Sequence, residues 1–189
     1  MEIGETIYVT DRAAWRAWLR QYSSRLSEIW LIYCRKDSGK PSLPYDHAVE
    51  EALCFGWIDS TVKSVDAERY AQRFTPRKKG SELSMLNLIR VENLVRQRKM
   101  TKQGLEALKS VRKPCEIGKD IFSTIRKHPI AWKHFSAFPE NYKRIRLSWI
   151  ESARKTPDLF AKRLAYFIAM TQQNKQFGTK VSDSRKKRQ

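Results

Sequence analysis

The stretch Tyr45 to Arg77, YDHAVEEALCFGWIDSTVKSVDAERYAQRFTPR, constrains this chain most, because the hydrophobic period changes inside it. Val49, Ala52, Leu53 and Gly56 recur at helical spacing in a segment that opens at Tyr45. From Ile58 to Phe74 the period shortens. Val62 and Val65 flank a first strand, and Tyr70, Gln72 and Phe74 alternate with Ala71 and Arg73. Val65-Asp66-Ala67-Glu68 supplies the loop between them, so the spacing predicts a helix feeding an antiparallel hairpin. Thr75-Pro76 stops the second strand, since proline has no N–H to give a ladder. Gly56 either ends the helix or lets it approach a neighbouring backbone closely.

The flanking segments are read in the same way. Asp11 is placed to cap a helix through about Tyr22, with Trp15, Trp18 and Leu19 at spacings of three and four. Ile29 to Tyr33 is short, apolar and rich in β-formers, as a buried strand is. Ser81, followed by Glu82, predicts the N-cap of a helix reaching about Arg98. Thr101 caps a further helix to about Arg112, and another is expected around Asp120 to Lys127. Asn141 to Lys155 and the helix opened by Pro157 read as a helical hairpin. The expected fold class is α+β: predominantly helical, with a small antiparallel sheet of about three strands and a C-terminal helical hairpin. The expected division is a core domain over 1–113, a helical region over 114–178 packed on it, and a basic disordered tail over 179–189.

Composition limits the function classes. An apolar share of 41% with six tryptophans supplies a real core. The longest apolar run, Ile29 to Cys34, is far shorter than the roughly 20 residues a membrane span needs. The N-terminus carries Glu2 and Glu5 and has no basic-then-apolar leader pattern. Cys34, Cys54 and Cys115 are odd in number and scattered, which argues for reduced thiols and a cytoplasmic setting. The net charge is +18. Lys180, Arg185, Lys186, Lys187 and Arg188 against Asp183 lie in the tail, leaving about +14 on the body. Such a surplus favours anionic partners: phosphorylated ligands, nucleic acid or anionic surfaces.

The best-motivated site is Arg73, Arg77, Lys78 and Lys79 leading into Ser81, because a helix start with cations around it suits phosphate or carboxylate. A second constellation, Trp57, Asp59 and Asp66, would serve an enzyme if an aromatic wall, a carboxylate and Arg73 met in one pocket. The competing reading has Asp59 and Asp66 bonding local backbone amides. His47, His128 and His134 do not stand at metal-ligand spacing with cysteines or carboxylates, and no nucleotide-binding or nucleophile motif occurs, so neither a metal nor a cofactor is expected. Cys54, close to the apolar face of its helix, reads as a small core residue.

The same residues carry a resemblance. Ala52-Leu53-Cys54-Phe55-Gly56-Trp57-Ile58-Asp59-Ser60 and Gln72-Arg73-Phe74-Thr75-Pro76-Arg77 are its most specific parts, with Tyr45, Arg90-Val91-Glu92, Met100-Thr101 and Trp149-Ile150 further along. The chain resembles the YdeI/OmpD-associated family, also called the OmdA or bacteriocin-protection family. That resemblance implies a part in protection against bacteriocins or cationic peptides, in stress, and an association with a porin. It implies no catalytic mechanism. A body this cationic would not sequester cationic peptides directly. The sequence therefore leads to a non-catalytic cytoplasmic protein that binds an anionic ligand or nucleic acid. The alternatives are a small-molecule enzyme around Trp57, Asp59 and Arg73, or a protein-interaction module using the C-terminal hairpin.

Overall fold

The computed structural model describes residues 2–178, and the basic tail 179–189, expected to be disordered, lies outside the described residues. The fold is α+β, with eight α-helices and one four-stranded sheet among the described residues. Strand β1 (Thr6–Ile7) precedes helix α1 (Arg12–Tyr22). Asp11 starts α1, its carboxylate accepting the Ala14 N–H at 2.9 Å. β2 (Ile29–Cys34) is the apolar run, and α2 (Tyr45–Cys54) opens after Pro44. β3 (Trp57–Ser64) and β4 (Arg69–Pro76) form the expected antiparallel hairpin, with a register shift between Asp59 and Val62. α3 (Met85–Arg96) and α4 (Lys102–Lys109) follow, and the Thr101 hydroxyl accepts the Gly104 N–H at 3.1 Å. The remaining elements are α5 (Lys119–Arg126), α6 (Pro129–Ala137), α7 (Glu140–Glu151) and α8 (Pro157–Gln172).

The sheet corrects the expectation of about three antiparallel strands. Its order is β1-β2-β4-β3, and β1 joins β2 in parallel. Two residues are too few to display an alternating pattern, so β1 leaves no trace in the sequence. The start of α3 is a second correction. Ser84, not Ser81, supplies its cap, with Oγ accepting the Asn87 N–H at 3.3 Å. Ser81 is drawn elsewhere: its carbonyl accepts the Arg112 N–H at 3.0 Å, and Glu82 bridges to Arg112. That pairing also ends α4 short of the expected Arg112.

Residues 2–82 with 90–112 form one compact unit, and 83–89 with 113–178 form another. In the first, α1 and α2 cover one face of the sheet. Trp15, Leu19, Val49, Leu53, Ile29, Leu31, Trp57 and Phe74 share its core. Trp57 is fully buried, and its indole N–H donates to the Ser23 carbonyl at 3.0 Å. Gly56 both ends α2 and permits close packing. It holds φ +76°, and a Cβ there would stand 2.7 Å from Ala107 Cβ. Glu51, 2% exposed, is tolerated because Arg12 and Arg16 both donate to its carboxylate. In the second unit, α8 packs on both α6 and α7, so the expected hairpin is part of a larger helical array. Ile121, Ile125, Phe135, Ile150 and Phe167 lie in its core.

With Trp57 buried and hydrogen-bonded, Trp57→Ala should cost about 3–5 kcal/mol by the large-to-small rule. Urea unfolding measures it. A loss below about 1 kcal/mol would mean the indole contributes little to the core.

Candidate functional site

Directly paired residues of neighbouring strands project to the same face of a sheet, so register decides which candidate side chains can meet. Asp59 pairs with Phe74, and Phe74 with Ile29, which places Asp59 on the face under α1 and α2. Arg73 pairs with Trp30, on the opposite face with Ile32 and Ala71. There Arg73 Nε donates to Glu28 Oε2 at 2.8 Å, and its Nη2 reaches the same oxygen. Trp57, Asp59 and Arg73 therefore do not converge, which removes the enzyme site expected from them. Arg73 and Arg77 do not share one anion either, because Glu28 already occupies the Arg73 guanidinium.

A different group forms around Asp59. Tyr45, in the first turn of α2, donates its O–H to Asp59 Oδ2 at 2.6 Å. Burial and that bond push the Tyr45 phenol well above its usual range. Its neighbour Asp46 takes Nη2 of Arg90, which is only 4% exposed. Tyr33 stacks on Tyr70 with ring centroids 5.2 Å apart. Tyr33 is 3% exposed, and its hydroxyl has no partner among the described residues. Burial pushes the Tyr33 phenol pKa far above that of a free phenol, with the neighbouring Tyr70 adding to the effect.

Arg77 directly follows the end of β4. Its backbone N–H bonds the Gly56 carbonyl at 2.9 Å, and Nη2 donates to the Glu82 carbonyl at 2.9 Å. Its Nε is buried without a partner among the described residues, and so is the Ser81 hydroxyl. Burial lowers the Arg77 pKa while Asp59 opposes that shift, so the two are within electrostatic reach. Lys78 and Lys79 are exposed beside it. A buried donor without an acceptor costs about 1–3 kcal/mol.

Asp66 is separate from both. It accepts the Glu68 and Arg69 backbone N–H groups at 2.9 and 2.8 Å and the Arg69 Nε at 2.8 Å, so it shapes the hairpin turn. It also lines an open cavity of about 510 Å³ with Tyr8, Cys34, Lys40 and Glu68, in which Lys40 pairs with Glu68 at 2.6 Å. Cys54 is fully buried, which raises its thiol pKa, so it is a core residue.

Sequence reasoning on its own reached Asp59, Arg77 and Ser81 but passed over Tyr33 and Arg90 as chemistry. Arg90 had a signal: it falls four residues from both Leu86 and Leu94, a charge set on an apolar stripe. Tyr33 had none beyond its place at the end of an apolar strand.

The Glu28–Arg73 pair gives a pH test. The hydrogen bond from Arg73 holds the Glu28 carboxyl below its usual range. The pair therefore stabilises the fold above the ordinary glutamate value and loses that contribution as pH falls through the depressed one. In Arg73→Ala, NMR titration should show the Glu28 carboxyl moving upward. An unchanged titration would mean the pair does not form.

Comparison with known proteins divides the chain much as its contacts do. The family model of a domain of unknown function (DUF8412) matches residues 7–107, and that of OmdA (bacteriocin-protection, YdeI or OmpD-associated) matches residues 115–174. The motifs around Asp59 and Arg77 thus fall in the first match, and the OmdA match is confined to the helical C-terminal region. No curated protein and no solved structure matches the chain. The chain belongs to the family of that domain of unknown function, DUF8412, and its residues 115–174 are similar to the OmdA, YdeI or OmpD-associated model.

Proposed function

We propose that this protein is a non-catalytic binding protein whose Arg77–Ser81 segment holds the anionic group of a small phosphorylated or carboxylated molecule. The observation that carries this reading is the buried Arg77 Nε, a cationic donor without a partner among the described residues. The Ser81 hydroxyl is a second such donor, and Lys78 and Lys79 add attraction at longer range. The site needs no helix dipole, since α3 begins at Met85.

A small anion is favoured over nucleic acid by the number of exposed contacts. Nucleic-acid affinity accumulates from many solvated cations along a backbone, whereas here one buried arginine supplies the directed donor. The net charge of +18 would then serve to concentrate anionic ligands near the protein. The bacteriocin-protection name of the C-terminal match suggests the setting of stress or antimicrobial resistance. The three free cysteines suit a reducing compartment such as the cytoplasm. No helix among the described residues is long and apolar enough to cross a membrane. The OmpD-associated part of that name raises a porin as partner, which this reading does not require.

Titration with inorganic phosphate, a nucleotide panel, labelled RNA and labelled DNA at two salt concentrations tests the proposal. Arg77→Lys should weaken phosphate binding nearly as much as Arg77→Ala, because lysine cannot hold the Glu82 carbonyl and a ligand with one planar group. Lys79→Ala should mainly flatten the salt dependence. Parent-like binding by Arg77→Lys would leave only a diffuse positive surface, and tight binding confined to RNA or DNA would replace the small-ligand reading.

A further inference from the structure

We infer that a cavity of the C-terminal unit, lined by α5, α6 and α7, binds a small aromatic carboxylate: one ring with a short acidic arm. This site is separate from Arg77 and does not rest on it. The cavity has a volume of about 200 Å³, and Ile117, Phe122, Phe135 and Leu147 form its apolar wall together with Met85, the first residue of α3. Phe122 meets Phe135 edge to face, with ring centroids 6.4 Å apart. Ile117, Phe122 and Met85 are only partly buried, so apolar surface at the cavity stays open to solvent. Glu140, Lys143, Arg144 and Leu147 all line the cavity from one face of α7, at i, i+3, i+4 and i+7. Glu140 is exposed and Leu147 is buried, so the space runs from a charged mouth to an apolar wall.

Size and charge select the ligand class. An apolar cavity of about 150 Å³ is enough for benzene, whereas pockets for drug-sized ligands begin at roughly 300 Å³. The space here therefore takes one ring and a short arm, and a nucleotide is too large for it. At the mouth, Lys143 and Arg144 stand against the single carboxylate of Glu140. Lys143 Nζ lies 2.9 Å from Glu140 Oε2 and 5.6 Å from the centre of the Phe135 ring. That ring already faces an ammonium, which disfavours a cationic ligand. Glu140, in an exposed i,i+3 pair, is a weak competitor for the lysine. An ammonium also has three donors, so Lys143 can serve a ligand carboxylate while its stem stays against the ring. A neutral ring would cover the wall without engaging the cations, and a small bare anion would do the reverse. A ring bearing a carboxylate uses both halves.

The test is NMR titration of the full chain at low salt with phenylacetate, benzyl alcohol, benzylamine and acetate. Phenylacetate should bind about tenfold tighter than benzyl alcohol, the worth of one hydrogen bond to a charged group. Benzylamine and acetate should bind more weakly than either. Lys143→Gln should bring phenylacetate down to the level of benzyl alcohol and leave benzyl alcohol unchanged. Ile117→Phe, which fills the space from a partly buried position, should weaken both. Arg77→Ala should leave phenylacetate binding intact, so the two sites are told apart. Equal affinity for phenylacetate and benzyl alcohol, or a preference for benzylamine, would overturn the carboxylate class. Phenylacetate binding that survives Ile117→Phe but is lost in Arg77→Ala would assign it to the other site and overturn this one. A dimer in sedimentation that Ile117→Phe dissociates would show a second copy filling the cavity instead. Absence of binding by every probe would overturn the inference and leave the Arg77 reading untouched.

Discussion

Strand β4 is hydrogen-bonded along both edges, and the N-terminal unit depends on that double pairing. β2 and β3 are held in register through it, so every residue from Arg69 to Pro76 is assigned to one of two faces. Phe74 is thereby delivered to the core beneath α1 and α2, where the Trp15 ring meets its edge at 5.4 Å. Its neighbour Arg73 is sent to the other side, to Glu28. A slip of one residue would exchange the two, burying a guanidinium under the helices and exposing a phenylalanine. The Asp59 carboxylate reaches Tyr45 only because β3 follows the register of β4.

Buried polar groups divide this unit into what holds it together and what is left over. Glu51 is matched by Arg12 and Arg16, and Asp46 by Arg90, so these carboxylates and guanidiniums satisfy one another. Tyr33, Arg77 and Ser81 each retain a polar atom with no such match among the described residues. Arg146, in the C-terminal unit, also has an unpaired Nε, but its guanidinium lies 5.2–6.0 Å from the ring centres of Phe177, Trp149 and Tyr142. Those π faces supply the negative potential that a carbonyl would otherwise provide. Among the described residues no such ring lies over the Arg77 guanidinium, so its Nε lacks the compensation that Arg146 has.

The C-terminal unit, which carries the OmdA match, is built by a simpler rule. Apolar stripes on α5 to α8 close on one another, and ionic contacts trim the surface. Arg154 reaches both Asp120 and Glu151, and the Gly118 N–H bonds Glu151 at 2.9 Å, so the start of α5 is held at the end of α7. A Cβ at Gly118 would stand 2.4 Å from the Arg154 guanidinium, so a larger residue there would displace that side chain. These groups are committed to structure.

What the sequence by itself determined is what short-range physics writes into it. The Asp11 and Thr101 caps, the strand at Ile29, the hairpin turned by Asp66 and the proline start of α8 each depend on residues within a few positions of one another. Asp59 and Arg77 stood out as chemistry because a carboxylate and an arginine flank a strand of otherwise structural residues. Tertiary structure alone decided the rest. Ser81 lost its cap role to Ser84 because a pairing with Arg112 claimed its backbone. Arg73 left the site because Glu28, 45 residues away in the chain, met it across the sheet. Tyr45 joined Asp59 through the packing of α2 on a strand register with a bulge in it. Local periodicity states which face a residue shares with its neighbours, but which partners wait on that face is set by pairings between distant segments.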